Sequence, residues 1–290
     1  MRRIMSDDIS YLKMNGLGND FVILDGRETP VVLDEDRVRW VADREQGIGC
    51  DQLIVMEKPS VEGADVSMRI FNSDGGEVAA CGNATRCVAG VVARESGCAE
   101  IVIQTGAGLL ASRVDGQRAS VDMGRPMFDW QDIPLSEEFG DTRGIELQIG
   151  PIDAPVLHTP SVVNVGNPHA IFWVNNDPDD YELERFGPLL ENHPVFPQRA
   201  NISLAQVLAP EEIRVRVWER GVGLTKACGT AACAVGVAGA RKGISARKVA
   251  IHLPGGTLDI EWCEEDDQII MCGPWELEGK GVLPFNLVGD

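Results

Sequence analysis

The strongest constraint on what this chain can fold into is that it is written twice. Residues 81–94, CGNATRCVAGVVAR, align without a gap with residues 228–241, CGTAACAVGVAGAR, at a shift of 147, and six of the fourteen positions are identical. The flanking sequence keeps nearly the same register. Gly18-Asn19 matches Gly166-Asn167 at 148, Asp51-Gln52-Leu53 faces Ala200-Asn201-Ile202 at 149, and 101–110 resembles 249–258 at 148. Met123-Gly124-Arg125-Pro126 repeats as Met271-Cys272-Gly273-Pro274. A drift this small indicates two copies of one supersecondary unit, separated by small changes in loop length.

Apolar runs at Phe21–Leu24, Leu53–Met56, Ile101–Ile103 and Val249–Leu253 read as strands. The cysteine segments read as helices. Ala84, Cys87, Val88, Val91 and Val92 follow helical spacing up to a stop at Gly97, and Ala231, Ala234, Val235, Ala238 and Gly239 repeat it up to Gly243. Both helices are small-residued and apolar nearly all round, the pattern of a helix enclosed by strands. The expected fold is therefore α+β, with two pseudo-symmetric domains, each a mixed or antiparallel sheet or barrel wrapped around a central helix. Residues 1–127 with 276–290 form one expected domain and 128–275 the other.

The repeated cysteines, Cys81 and Cys228, each stand just before a helical pattern, where unpaired backbone N–H groups and the helix dipole favour negative charge. That setting lowers a thiol from its ordinary value near about 8.5 toward one that serves as either acid or base. Gly82 and Gly229 let the backbone come close to a ligand, and the N–H groups that follow suit a carboxylate. A lone Cys-Gly at a helix start is ordinarily a buried cap; two at matched positions are a different matter. Inversion at a carbon centre needs one group to remove a proton from one face and a second to return it to the other, and duplication supplies the pair.

Other matched positions also carry polar side chains: Asn19 with Asn167, Gln52 with Asn201, and Asn72 with Glu219, the last two each nine residues before a cysteine. Each taken alone is an ordinary turn residue; the shared register makes them pocket candidates. The symmetry breaks where Asn72-Ser73 becomes Glu219-Arg220, a charged pair suited to an ammonium and a carboxylate away from the reacting carbon. His169 stands where the first copy has Phe21, either as a structural histidine or as a group that tunes a nearby thiol. The remaining cysteines, Cys50, Cys87, Cys98, Cys233, Cys263 and Cys272, read as packing or incidental thiols.

Composition removes several alternatives. A formal net charge of -19 argues against a nucleic-acid partner. The longest apolar run, 231–240, is far too short for a membrane span, and the opening MRRIMSDDIS has no apolar stretch behind its basic residues, so a cytoplasmic location is the default. Eight cysteines without a CxxC pair, and only four histidines, support neither a metal site nor a disulfide framework. No phosphate-binding glycine loop is present and nothing identifies a pyridoxal lysine. A small-molecule amino-acid substrate and no cofactor are the expectation.

Taken together, KMNGLGNDF (13–21), DQLIV (51–55), RIFNSDGGEVAACGNATRC (69–87), GNPHA (166–170), RANISLAQV (199–207) and WERGVGLTKACGTAACA (218–234) resemble the diaminopimelate epimerases along essentially the whole chain. The resemblance implies interconversion of LL- and meso-2,6-diaminopimelate, a step toward lysine and peptidoglycan, without pyridoxal phosphate or metal. It implies Cys81 and Cys228 as the acid/base pair and His169 and Glu219 as groups that tune them. Asn19, Gln52, Asn72, Gly82, Asn83, Asn167, Asn201, Glu219, Arg220, Gly229 and Thr230 would contact substrate. It also implies a homodimer, although the tail GVLPFNLVGD differs from tails associated with dimer contacts. The chain departs from the family pattern at Asn15, Cys50 and Trp218, and in CGNAT where CGNGA is common. The nearest alternative is another two-cysteine racemase, acting on proline, hydroxyproline or a larger amino acid.

Overall fold

The computed structural model describes residues 9–79 and 81–283. The segments on which the expectations about targeting and about tail-borne dimer contacts rest, 1–8 and 284–290, lie outside the described residues. The chain divides into two compact units, 1–121 with 273–290, and 122–272. Among the described residues no helix is long and apolar enough to cross a membrane.

The first unit comprises β1 (Ile9–Asn15), β2 (Asp20–Asp25), α1 (Glu35–Ala42), β3 (Gln52–Glu57), β4 (Val66–Asn72), β5 (Glu77–Val78), α2 (Gly82–Ser96), β6 (Glu100–Thr105), β7 (Gly108–Asp115) and β8 (Arg118–Asp122). Its pairing runs β1–β2 antiparallel, β2–β3 parallel, β3–β4 antiparallel, β4–β6 parallel, then β6–β7 and β7–β8 antiparallel.

The second unit adds a short ribbon, β9 (Gln148–Ile149) and β10 (Leu157–His158). It then repeats the scheme with β11 (Ser161–Asn164), β12 (Pro168–Trp173), α3 (Leu183–Glu191), β13 (Asn201–Ala209), β14 (Glu212–Glu219), β15 (Gly223–Thr225), α4 (Gly229–Lys242), β16 (Lys248–Leu253), β17 (Gly256–Trp262) and β18 (Ile269–Pro274). The strands pair in the same order and the same senses. A last strand, β19 (Glu276–Leu283), lies antiparallel to β1 in the first unit, from Ile9↔Leu283 to Asn15↔Glu276.

Both faces of the central strands are covered, which explains their unbroken apolar runs. In β2, Phe21 and Ile23 pack with Ala84, Cys87 and Val88 of α2, while Val22 and Leu24 pack with Val38 and Val41 of α1. In β3, Ile54 and Met56 join the α2 side, and Leu53 and Val55 the α1 side. The second unit does the same: Ala170, Phe172, Ile202 and Leu204 pack with Leu183, Phe186 and Leu190 of α3. His169, Ile171, Asn201 and Ser203 are left on the other face, against which α4 packs.

The enclosed helices end where the sequence predicts, at Gly97 and Gly243, each in the left-handed conformation that a side chain disfavours. Their small residues follow from how closely neighbours approach. A Cβ on Gly90 would lie 2.4 Å from the Trp275 ring, and one on Gly239 2.4 Å from Ser245 Oγ.

Candidate active site

In the first unit the candidate side chains share one face and one end of the sheet. Along β4, Val66, Met68 and Ile70 face α2, so Asn72 faces the same way; by the same two-residue period so do Gln52 on β3 and Asn19 ahead of β2. Gln52 Nε2 donates to Asn72 Oδ1 at 2.9 Å across the β3–β4 ladder. Cys81 is half-buried at the N-cap of α2, in extended backbone conformation, and its carbonyl accepts from the Thr85 hydroxyl and N–H, both at 2.9 Å. The turn that carries Asn19 needs positive φ at Leu17 and Gly18. It rests on the first turn of α2, where a Cβ on Gly16 would lie 3.0 Å from the Asn83 carbonyl oxygen.

The second unit reproduces this arrangement. Cys228 is the N-cap of α4, Asn201 opens β13, Glu219 closes β14, and Asn167 precedes β12 after Gly166, which has positive φ like Gly18. Pairing fixes the correspondence, because Phe21 lies opposite Gln52 and His169 opposite Asn201 in parallel registers. His169 Nε2 and Asn167 Oδ1 are 2.7 Å apart, which assigns the proton to Nε2. Asn201 Oδ1 accepts from the Arg220 N–H at 2.9 Å, and Cys228 Sγ lies 3.5 Å from Thr230 Oγ1. Gly82 and Gly229 are buried first residues of the two helices, and Asn83 is buried beside Gly82.

The electrostatics of the second thiol differ from the simple expectation. Burial pushes Cys228 well above the ordinary thiol range and the Glu219 carboxylate adds to it, while the Thr230 hydroxyl and the Ala231 N–H pull the other way. The helix start does favour the thiolate, but desolvation outweighs it in this conformation. Burial, helped by the charge of Arg220, also lowers His169 to about 3, so its imidazole is neutral. Cys87 is pushed up to about 12 and Cys50 to about 11, chiefly by burial, as befits packing thiols. Among the described residues no cysteine is in a disulfide; Cys233 is buried, Cys98 exposed, and Cys263 and Cys272 partly exposed. Gln52 Oε1, Asn83 Oδ1 and His169 Nδ1 are buried acceptors without a hydrogen-bond partner among the described residues. Among the described residues, no three His, Cys, Asp or Glu side chains group as a metal site.

Sequence reasoning missed the groups that hold these side chains. Asp51 Oδ2 accepts from Asn19 Nδ2 at 2.8 Å and from the Asp20 N–H at 3.0 Å, and Arg44 Nη2 reaches both Asp51 and Asp20 at 2.8 Å. Burial works to raise the Asp20 pKa, but the bonds from Arg44 and Lys13 outweigh it and hold the carboxyl well below the usual range. In the second unit Glu191, at the end of α3, is buried and accepts from Trp218 Nε1 at 2.7 Å, the Gly221 N–H at 2.8 Å and Arg199 Nη1 at 3.2 Å. Asp51 had a signal, since it adjoins Gln52 in the repeat. Glu191 lay outside every matched segment.

The family model "Diaminopimelate epimerase" matches residues 11–128 and 161–278. Curated proteins of that name are similar over nearly the full length. The one from Bradyrhizobium sp. (strain ORS 278) is 54% identical over 275 residues, 93% of this chain and 94% of the relative. The one from Afipia carboxidovorans is 55% identical over 280 residues, 96% of each. Among solved structures, a hydroxyproline epimerase from Agrobacterium vitis matches with a TM-score of 0.67 at 13% identity, over 97% of this chain and 94% of that one. A predicted epimerase from Pseudomonas aeruginosa matches at 0.63 and 19%, over 97% and 100%. These two share the fold.

Proposed function

Because the chain belongs to the diaminopimelate epimerase family, we propose that it interconverts LL- and meso-2,6-diaminopimelate by a two-base reaction of Cys81 and Cys228, without a cofactor. The observation that carries this reading is the repeated half-site: in each unit a cysteine caps an enclosed helix beside polar side chains on the same face of the sheet. One thiolate takes the α-hydrogen and becomes a thiol. The other thiol gives its proton to the opposite face of the carbanion and becomes the thiolate, so protons balance and the enzyme ends with the two roles exchanged. Charge that develops on the substrate carboxylate is met by backbone N–H groups at a helix start, donors that strengthen as the proton leaves. The neutral His169, through Asn167, and the Glu219 carboxylate tune the second half-site.

The Glu219-Arg220 pair favours a substrate with a second charged end over proline or hydroxyproline. The same reading places the reaction in the cytoplasm, in lysine and peptidoglycan synthesis, and the enzyme as a homodimer, which light scattering of the purified protein tests. Incubation of LL-diaminopimelate in heavy water should give the meso form with solvent deuterium at one α-carbon. Cys81→Ala and Cys228→Ala should each lose epimerisation by at least about a thousandfold. Turnover of a panel of other amino acids with none of diaminopimelate would sink the substrate assignment, and full turnover in a double Cys→Ala variant the mechanism.

A further inference from the structure

We propose that Glu191 is a positioning residue that fixes Glu219 and Arg220 in place and so sets selectivity for a substrate with a distal amino-acid end. The inference rests on the substrate reading above. Glu191 touches none of the proposed reacting groups. Its two carboxylate oxygens instead gather donors from both chain segments that frame the Glu219-Arg220 turn. Oε2 takes the Trp218 indole N–H, one residue before Glu219; Oε1 takes the Gly221 N–H, one residue after Arg220, and the Arg199 guanidinium.

Arg199 belongs to the turn ahead of β13, where it holds a positive φ of 59° that a side chain disfavours, and its ion pair with Glu191 ties that turn to α3. The same turn grips Arg220, because the Gln198 carbonyl accepts from Arg220 Nη1 at 3.0 Å and Asn201 Oδ1 accepts from its N–H. The Trp218 ring lies directly on Gly187 of α3, where a Cβ would come within 2.3 Å of it. Glu191 and Gly187 stand four residues apart on one helix, so α3 presents a flat seat for the indole and an anion for its N–H. Trp218, next to the pair, is thereby held against a helix on the far side of the sheet from α4, while Glu219, one residue on, acts on Cys228 on the α4 side. A carboxylate is required for this task. It accepts at both oxygens, whereas an amide would turn an N–H toward either the indole or the Gly221 donor.

A packing role alone predicts that loss of Glu191 weakens the fold and lowers all activity in proportion. A positioning role predicts a selective loss. The test compares Glu191→Gln with the unaltered enzyme on LL-diaminopimelate and on L-2-aminopimelate, which lacks the distal ammonium, with solvent deuterium uptake as the assay. Where uptake into 2-aminopimelate is too slow to follow, its inhibition constant against diaminopimelate replaces the rate. The preference for diaminopimelate should fall about tenfold or more, the worth of one charge-assisted hydrogen bond, and should show mainly in KM. Trp218→Phe keeps a ring on Gly187 but removes the donor; it should lower the same preference by a smaller factor, and it carries the test should Glu191→Gln not fold. A preference within about twofold of the unaltered enzyme in a folded variant, or an equal loss on both compounds, overturns the proposal. Failure of the substrate reading is separately visible, as absence of diaminopimelate turnover in the unaltered enzyme.

Discussion

A thiol at the start of a helix is pulled in two directions, and Cys228 shows which pull wins. The dipole and first-turn N–H groups are worth at most about 2 kcal/mol, whereas burial and a carboxylate neighbour act against the charge and leave Cys228 raised. Replacing Glu219 by Gln should therefore move alkylation of Cys228 to lower pH, followed by mass spectrometry of the peptide that contains it; an unmoved profile rules out the influence of the carboxylate. His169 allows a second prediction. Its native value of about 3 lies below the ordinary 6.5, so the unfolded chain binds a proton between those values while the folded one does not. Its contribution is present above about pH 6.5 and is lost as pH falls toward about 3. His169→Phe, which installs the residue found at Phe21, should flatten that part of the stability profile in urea titrations at stepped pH. Cys81, Cys228 and the paired amides were legible from the repeat alone. The pull on Cys228 was not, because desolvation depends on how the whole unit closes over it, and Asp51 and Glu191 act through contacts no spacing records.

At the scale of elements, the strands and helix ends were readable because both sides of each central strand are covered and because Gly97 and Gly243 take a conformation that glycine prefers. The outer helices α1 and α3 were not read at all. They are short, and the cover that completes them comes from the strands on either side, such as Val22 and Val55 against Val38, which their own residue pattern does not record. The glycines inside the enclosed helices were legible as small residues but not as contacts. Gly90→Ala shows the difference: helix propensity favours Ala by about 1 kcal/mol, yet its Cβ would stand 2.4 Å from the Trp275 ring, and overpacking of that kind costs about 1–3 kcal/mol or more. The clash should win. Thermal unfolding should show a melting temperature several degrees lower, restored in part by Trp275→Leu in the same chain; an unchanged or higher value would mean that the indole moves aside at no cost.

At the scale of the molecule, the duplication is visible in the pairing senses of both units, but the units are not built from the chain in the same way. The second is one continuous stretch. The first is closed by a strand that follows the second, with β19 along β1 and Trp275 on α2. Ending the chain after residue 272 should therefore leave the second unit's amides protected in hydrogen exchange while those of β1 exchange rapidly, and equal protection in both units would contradict this. During synthesis the consequence is an order of events. The second unit can finish as soon as its own residues leave the ribosome, while the first waits with the edge of β1 uncovered until the final strand emerges. An exposed edge is where chains pair wrongly, so the interval between the emergence of β8 and of β19 is when a growing chain is most open to capture by its neighbours.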